Sequence, residues 1–296
     1  MFKYVHRVTK HDVTRGEPRP EAGYLAAVAA FADESGVVAL TIRDPEICMP
    51  WTYADEPDVE GFGLAGLFPP GLTGYYDGAR VSIADACGLV VAMVRDNGAW
   101  CRLEDDDFFV HVSTEWTMYV GTAGPCPDAV SRARASGLRV EPVDSSPLDP
   151  ARQPVRVAHA ADEAFWAEVT RLAADRGTVI LEERYVSNAS RWHRLRAGDV
   201  ESVPRRLTPR AALAVWPELN ENVPAELPAV HDHEFGATVV WEDRDGAITH
   251  VPFANYEYPV VAARLSQACA AMVCGEPLLE AVLPDDDGVV RVRWSV

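Results

Sequence analysis

Trp100-Cys101-Arg102-Leu103-Glu104-Asp105-Asp106-Asp107-Phe108-Phe109-Val110-His111-Val112 reads as two half-apolar strands hinged at three consecutive aspartates. The plan recurs twice. Thr238 to Glu242 turns at Asp243-Arg244-Asp245-Gly246 and returns through Ile248 and His250; Leu278 to Leu283 turns at Asp285-Asp286-Asp287-Gly288 and returns over Val289 to Trp294. An Asp-Gly pair between apolar runs signals a hairpin, because glycine accepts the positive φ that a tight turn requires. Three such units predict antiparallel sheet with acidic tips.

Helical patterns lie between them. Leu25, Val28 and Phe31 form one stripe of a helix over Pro20 to Glu34, stopped at Gly36. Ser82 is an N-cap with Asp85 three residues on, and Ile83, Cys87, Val90 and Val94 continue the stripe. Further helices are expected from Pro127 to Gly137, from Asp162 to Asp175 and from Tyr258 to Val273, with strands at 3–9, 37–42, 116–120, 138–143, 178–185 and 211–216. Sheet-forming and helical segments in this order predict an α+β fold: two similar-sized segments of mainly antiparallel sheet with helices packed on one face. Residues around 144–158 break every period and carry three prolines. The expected division is a domain over 1–145, a linker over 146–158 and a second domain over 159–296. Whether the halves are duplicates stays open, since they share no motif.

The chain of 296 residues carries a formal charge of −18. Residues 1–150 hold 12 basic against 23 acidic side chains, and residues 151–296 hold 15 against 22, so neither half is a basic arm. Such a surface repels phosphate backbones and steers basic partners, so a basic protein is the expected partner and generic nucleic acid is not. Lysine occurs twice, at Lys3 and Lys10, against 25 arginines; with abundant alanine, this reads as codon pressure of a high-GC genome. Six cysteines at 48, 87, 101, 126, 269 and 274 form no C-x-x-C and are expected as free thiols. No apolar run nears the roughly 20 residues of a membrane span, and the start at Met1-Phe2-Lys3 lacks a signal-peptide core. A cytoplasmic location follows as the expectation.

Known catalytic signatures are missing from the sequence. No G-x-S-x-G, G-x-G-x-x-G after a strand, or P-loop occurs, and no cofactor is expected. His231-Asp232-His233-Glu234 is the densest grouping of metal-type ligands, but no further His or Cys lies at ligand spacing. It reads as a loop rather than a metal site. Ser187 to Arg194 combines hydroxyl, amide, guanidinium, indole and imidazole groups. Arg191, Trp192 and His193 either hold a nucleobase or acidic peptide, or form a capped turn with Trp192 in the core. Asp105, Asp106 and Asp107, like Asp285, Asp286 and Asp287, are expected as exposed turn acids without a cation. The aromatics Trp100, Phe108, Phe109, Trp116 and Tyr119 fall on neighbouring strands and form either a stacking face for single-stranded RNA or a sheet-to-helix core.

Three stretches, Tyr4 to Lys10 (YVHRVTK), Gly63 to Gly78 (GLAGLFPPGLTGYYDG) and Arg95 to Val112 (RDNGAWCRLEDDDFFVHV), together resemble the N-terminal region of actinobacterial proteins labelled RNA-binding and S1-domain-containing. Ser187 to Leu195 and Arg210 to Leu219 extend the likeness. In those proteins the label rests on a C-terminal S1-type barrel, for which a chain ending at Val296 has no room. The resemblance implies a cytosolic, non-enzymatic role and transfers no functional residue. The combined expectation is a non-catalytic acidic protein-binding module, of the kind exemplified by an immunity protein that neutralises a basic toxin. An RNA- or translation-associated module is the alternative, and an enzyme of unknown class the third. Partner contacts are assigned to Asp105–Asp107, Trp116, Arg191–His193 and Asp285–Asp287.

Overall fold

A computed structural model of the chain describes residues 2–10, 21–47, 64–95, 98–113, 116–150, 158–224, 226, 237–253, 258–285 and 287–290. The first acidic hairpin forms as its sequence predicts: β4 (Ala99–Glu104) pairs antiparallel with β5 (Phe108–Ser113), with Leu103 opposite Val110. Around it stand β1 (Tyr4–Lys10), β2 (Ala39–Ile47), β3 (Arg80–Ser82), β6 (Thr117–Thr122) and β7 (Leu138–Val143). They make a seven-stranded sheet in the order β3-β2-β4-β5-β6-β1-β7, antiparallel at every pairing. The α+β class holds.

Strand alternation sends Leu40, Ile42, Leu103, Val110, Val120, Val8 and Val140 to one face, where they bury against α1 (Glu21–Ser35), α2 (Ile83–Val94) and α3 (Pro127–Ala135). Ser82 caps α2 as expected, its hydroxyl accepting from the Asp85 amide. The other face carries a polar row in cross-strand register: Arg102, His111, Tyr119, Arg7 and Glu141. Phe109 lies on this face, stacked on His111 with centroids 4.2 Å apart. Gly121 opposite it makes room, since a Cβ there would meet Phe109 Cε1 at 2.0 Å.

Later in the chain, α4 (Glu163–Arg176) is capped by Asp162 and buries Phe165, Val169 and Ala173. It packs on a four-stranded sheet ordered β14-β10-β8-β9, built from β8 (Val179–Val186), β9 (Ala189–Leu195), β10 (Ala212–Trp216) and β14 (Leu279–Val282). A three-stranded sheet, β12-β11-β13, covers its other face through Ile180, Ala214, Trp216, Val240, Ala270 and Met272. Its strands are β11 (Ala237–Glu242), β12 (Ile248–Phe253) and β13 (Ala270–Val273), and α5 (Tyr258–Leu265) precedes the last. The second acidic hairpin is the β11–β12 pair.

One sequence expectation is corrected. The helix expected to run to Val273 ends at Leu265, and Ala270–Val273 is a strand paired with β11. A short all-apolar run buried on both sides has no period to separate strand from helix. The third acidic turn closes, with Asp285 N–H donating to Val289 O at 2.9 Å, and β14 before it pairs with β10. Its expected return lies largely in residues 291–296, outside the described residues.

The halves meet in one continuous core that runs from α1–α3 to Phe165, Leu181, Leu213 and Ala281. Between them, Ile47 N–H donates to Ser187 O at 2.9 Å and Ser187 N–H to Pro45 O at 2.8 Å. Ser146, the first residue of the expected linker, is 1% exposed and lies against His111.

Candidate functional site

The assigned partner residues separate into three places. At the β4–β5 tip, Asp106 and Asp107 are exposed and Asp105 half-buried, its amide donating to Phe108 O at 2.7 Å. This acidic turn is a surface feature, as its sequence implies. Asp285 is a different matter and corrects the expectation of an exposed tip. Its side chain is 12% exposed and accepts from Arg210 Nη2 at 3.0 Å, its Oδ1 lies 2.5 Å from Arg210 Nε as an ion-pair contact, and Asp77 flanks the same guanidinium at 3.3 Å. Asp287 is exposed and Asp286 lies outside the described residues. The His231–Glu234 grouping lies outside them as well.

Neither tryptophan is a free anchor. Trp116 is half-buried against the main core at φ +57°, and its carbonyl accepts from the Tyr24 hydroxyl. Trp192 points into the joint between the two smaller sheets, where its Nε1–H donates to His250 Nδ1 at 3.0 Å. Trp192 therefore packs against the core, as the alternative reading of its segment has it, but that segment is the strand β9 and not a capped turn. Among the candidate stacking aromatics, Phe108 is fully buried on the helix-facing side and Phe109 is 4% exposed. They offer no open platform.

Arg191 and His193 are brought together with a residue that sequence reading missed. Both stand on the same face of β9, and Arg191 pairs across to Glu183 of β8. Glu183 is 1% exposed in its side chain, accepting from Thr208 N–H at 2.7 Å and contacting His193 Nε2 at 2.8 Å. Burial by itself would raise its pKa, but the hydrogen bonds from His193 and Thr208 hold the carboxyl below the usual range. An ionised Glu183 can only accept, so His193 Nε2–H is the donor in that contact. Arg191 lies over the Tyr185 ring at 3.9 Å and donates to Thr208 Oγ1 at 2.9 Å and Gly71 O at 2.5 Å. The side chains of Arg191 and His193 remain 36% and 32% exposed. The glutamates in Leu181-Glu182-Glu183-Arg184 gave a signal that went unused: adjacent acids in an apolar strand demand partners on both faces.

A second unassigned constellation has the connectivity of a nucleophile triad. Ser146 Oγ lies 2.9 Å from His111 Nδ1, and His111 Nε2 lies 3.0 Å from Glu104 Oε1. Ser146 is sealed at 1% exposure and its oxygen accepts from Leu148 N–H at 3.1 Å. No substrate carbonyl reaches it in this state, and its evident work is to fasten residues 146–148 to the sheet.

The charge distribution is uneven. Residues 217–290 contain 14 acids against Arg244 and Arg264, a net of −12 out of −18. Glu221, Asp245, Glu276, Glu280 and Asp287 are exposed there. Residues 184–210 instead contain seven arginines against Asp199 and Glu201. Arg184, Arg194 and Arg210 are matched by nearby carboxylates. Arg196, Arg205 and Arg206 are exposed, with no carboxylate partner among the described residues.

The buried titratable groups set an acid response. Burial lowers His6, His111 and His250 from the ordinary 6.5. The unfolded chain therefore binds their protons first, and stability falls as pH drops below about 6.5. Glu104, Glu183 and Glu218 sit below the ordinary 4.5, because donors outweigh burial. Their contribution is present above 4.5 and is lost as pH falls through their folded values. Burial raises Glu46 and opposes the first decline. We expect urea midpoints to descend in two limbs, with the upper one reduced in His111→Gln. A midpoint that is flat from about pH 7 to about pH 5, in both proteins, would contradict this assignment.

No protein-family model, curated protein or solved structure matches the chain. Among the described residues, no helix is long and apolar enough to cross a membrane, and no group of three metal-ligating side chains occurs.

Proposed function

We propose that the protein is a non-catalytic, cytoplasmic binding protein that captures a basic protein partner through exposed acids of the stretch 217–290, among them Glu221, Asp245 and Glu276. The supporting observation is the net charge of −12 concentrated there, with Glu221, Asp245 and Glu276 exposed. A field of one sign steers an oppositely charged partner and raises its association rate, while close apolar contacts set how long it stays. In its most specific form the reading is an immunity protein that neutralises a basic toxin. On this reading the capture surface includes Glu221, Asp245 and Glu276, with the β4–β5 tip a second acidic point.

The test pairs wild type with Glu221→Gln/Asp245→Asn/Glu276→Gln in capture from nuclease-treated native lysate, followed by kinetics on the recovered protein. The expected partner is basic and survives nuclease treatment. Its association with wild type should slow severalfold as salt rises from about 0.1 M to about 1 M, where the screening length shrinks from roughly 10 Å to 3 Å. The variant should show the slow rate already at low salt. A partner lost with nuclease would transfer support to the RNA-associated reading. An association rate indifferent to salt and to the three substitutions would defeat electrostatic capture.

A further inference from the structure

We propose that the outer edge of β12 (Ile248–Phe253) holds an extended segment of the partner by main-chain pairing, which rests on the proposal of a basic partner and adds how that partner is held. The ladder fixes which groups point outward. Asp243 N–H donates to Ala247 O at 3.0 Å, so 243 and 247 form a hydrogen-bonded pair, and Trp241–Thr249 and Val239–Val251 follow by alternation. The main-chain groups of Ile248 and His250 therefore turn away from β11. The far side of β11 agrees: Glu242 O accepts from Cys269 N–H and Thr238 O from Cys274 N–H, both at 2.8 Å, so its alternate residues face β13. The outward N–H and C=O groups of Ile248 and His250 meet no main-chain partner among the described residues, and Thr249 between them is exposed.

An open edge is a template for another strand, and the other edges suit a basic one less. Outside β13, Asn220 N–H donates to Ala271 O at 2.8 Å and Ala271 N–H to Asn220 O at 3.0 Å. Outside β14, Ala161 N–H donates to Val282 O at 2.9 Å and Val282 N–H to His159 O at 2.8 Å. On β7, Arg134 Nη2 donates to Val140 O at 2.8 Å, and Pro142 has no N–H to offer. β3 is only three residues long. β9 carries Arg191 and Arg194, which would set a basic chain among like charges. β12 instead belongs to the stretch of net charge −12, and its own turn exposes Asp245. Its inward side chains are already anchored: Ile248 packs in the joint between the smaller sheets, and His250 accepts from Trp192 Nε1–H at 3.0 Å. Binding a strand there needs little ordering of the receiving edge. Pro252 lacks an N–H, so full pairing is confined to Ile248 and His250, with about four main-chain hydrogen bonds in an antiparallel pattern.

The test adds to the full chain a short capped peptide that alternates lysine or threonine with valine, with a glutamate-for-lysine analogue as its control. Amide hydrogen exchange is followed residue by residue by NMR. Before addition, the Ile248 and His250 amides should exchange faster than those of Thr249 and Val251, which β11 holds. The lysine peptide should then slow Ile248 and His250 at least about tenfold and leave Thr249 and Val251 nearly unchanged, while the glutamate peptide protects neither. Ile248→Pro removes an outward N–H and no ladder bond, and should weaken the lysine peptide by about tenfold. The wild-type exchange pattern decides by itself, whether or not that variant folds. A lysine peptide that fails to bind, or binds without protecting these two amides, overturns strand pairing on β12, as does equal protection by the glutamate analogue. Each of those results leaves capture standing, because capture is judged by the salt dependence of the lysate partner. A lysate partner indifferent to salt would remove the basic partner, and with it this mode of holding, even where the peptide pairs.

Discussion

Glu182→Ala should destabilise the protein by about 3–5 kcal/mol, the range for removing one member of a buried charge pair. Glu182 is 7% exposed in the middle of β8. One carboxylate oxygen accepts from Arg184 at 2.9 Å and from Trp216 Nε1–H at 3.0 Å, and the other from the Ser190 hydroxyl at 2.8 Å. Truncation leaves a buried indole N–H without its acceptor. It also leaves Arg184 with Glu280, 3.7 Å away, as its remaining carboxylate. Urea unfolding measures the loss. Glu182→Gln, which keeps acceptor capacity on one side of the group, should lose less. A deficit under about 1 kcal/mol for the alanine variant would mean that water takes over the carboxylate's role and that the joint between the smaller sheets is wet.

Arg210→Met is expected to approach the same magnitude, about 3–5 kcal/mol. Arg210 is 13% exposed between the side chains of Asp77 at 2% and Asp285 at 12%. Its removal leaves two buried carboxylates opposed across an apolar side chain. Space is already short there, since a Cβ on Gly78 would stand 2.6 Å from Arg210 Nη1. Gly78 also sits at φ +96°, so Gly78→Ala adds backbone strain while displacing the guanidinium. The deficit of Arg210→Met should shrink on acidification, because a proton on one carboxylate relieves the repulsion. A deficit that is unchanged at about pH 4 would assign the loss to packing alone.

What the sequence disclosed depended on whether a local rule was strong enough. Asp-Gly turns and three aspartates between apolar runs placed the β4–β5 and β11–β12 hairpins, because their geometry is decided within a few residues. The β8–β9 hairpin escaped notice because Ser187-Asn188 makes its turn, with Asn188 at φ +65°, and because β9 is largely polar. Its polar side chains find partners far off in the chain: Arg191 at Gly71, Trp192 at His250, Arg194 at Glu242. No periodicity carries such information. Asp285 shows the same limit, for an aspartate in a turn looks solvated until the fold brings Arg210 to it. Glu183 was hidden differently. Its charge suggested surface, and only its place between β9 and β10 shows that it is buried and orients His193.

The place of β1 within the seven-stranded sheet has a consequence for biosynthesis. It lies between β6 and β7, yet ends at residue 10, while β6 begins at residue 117. At about 5–20 residues per second, a ribosome needs roughly 5–20 s to supply the first neighbour of β1. Throughout that interval Val5 and Val8 lack their native cover, and both edges of the strand are unpaired. The nascent chain is thus a natural client for holding factors until β6 emerges.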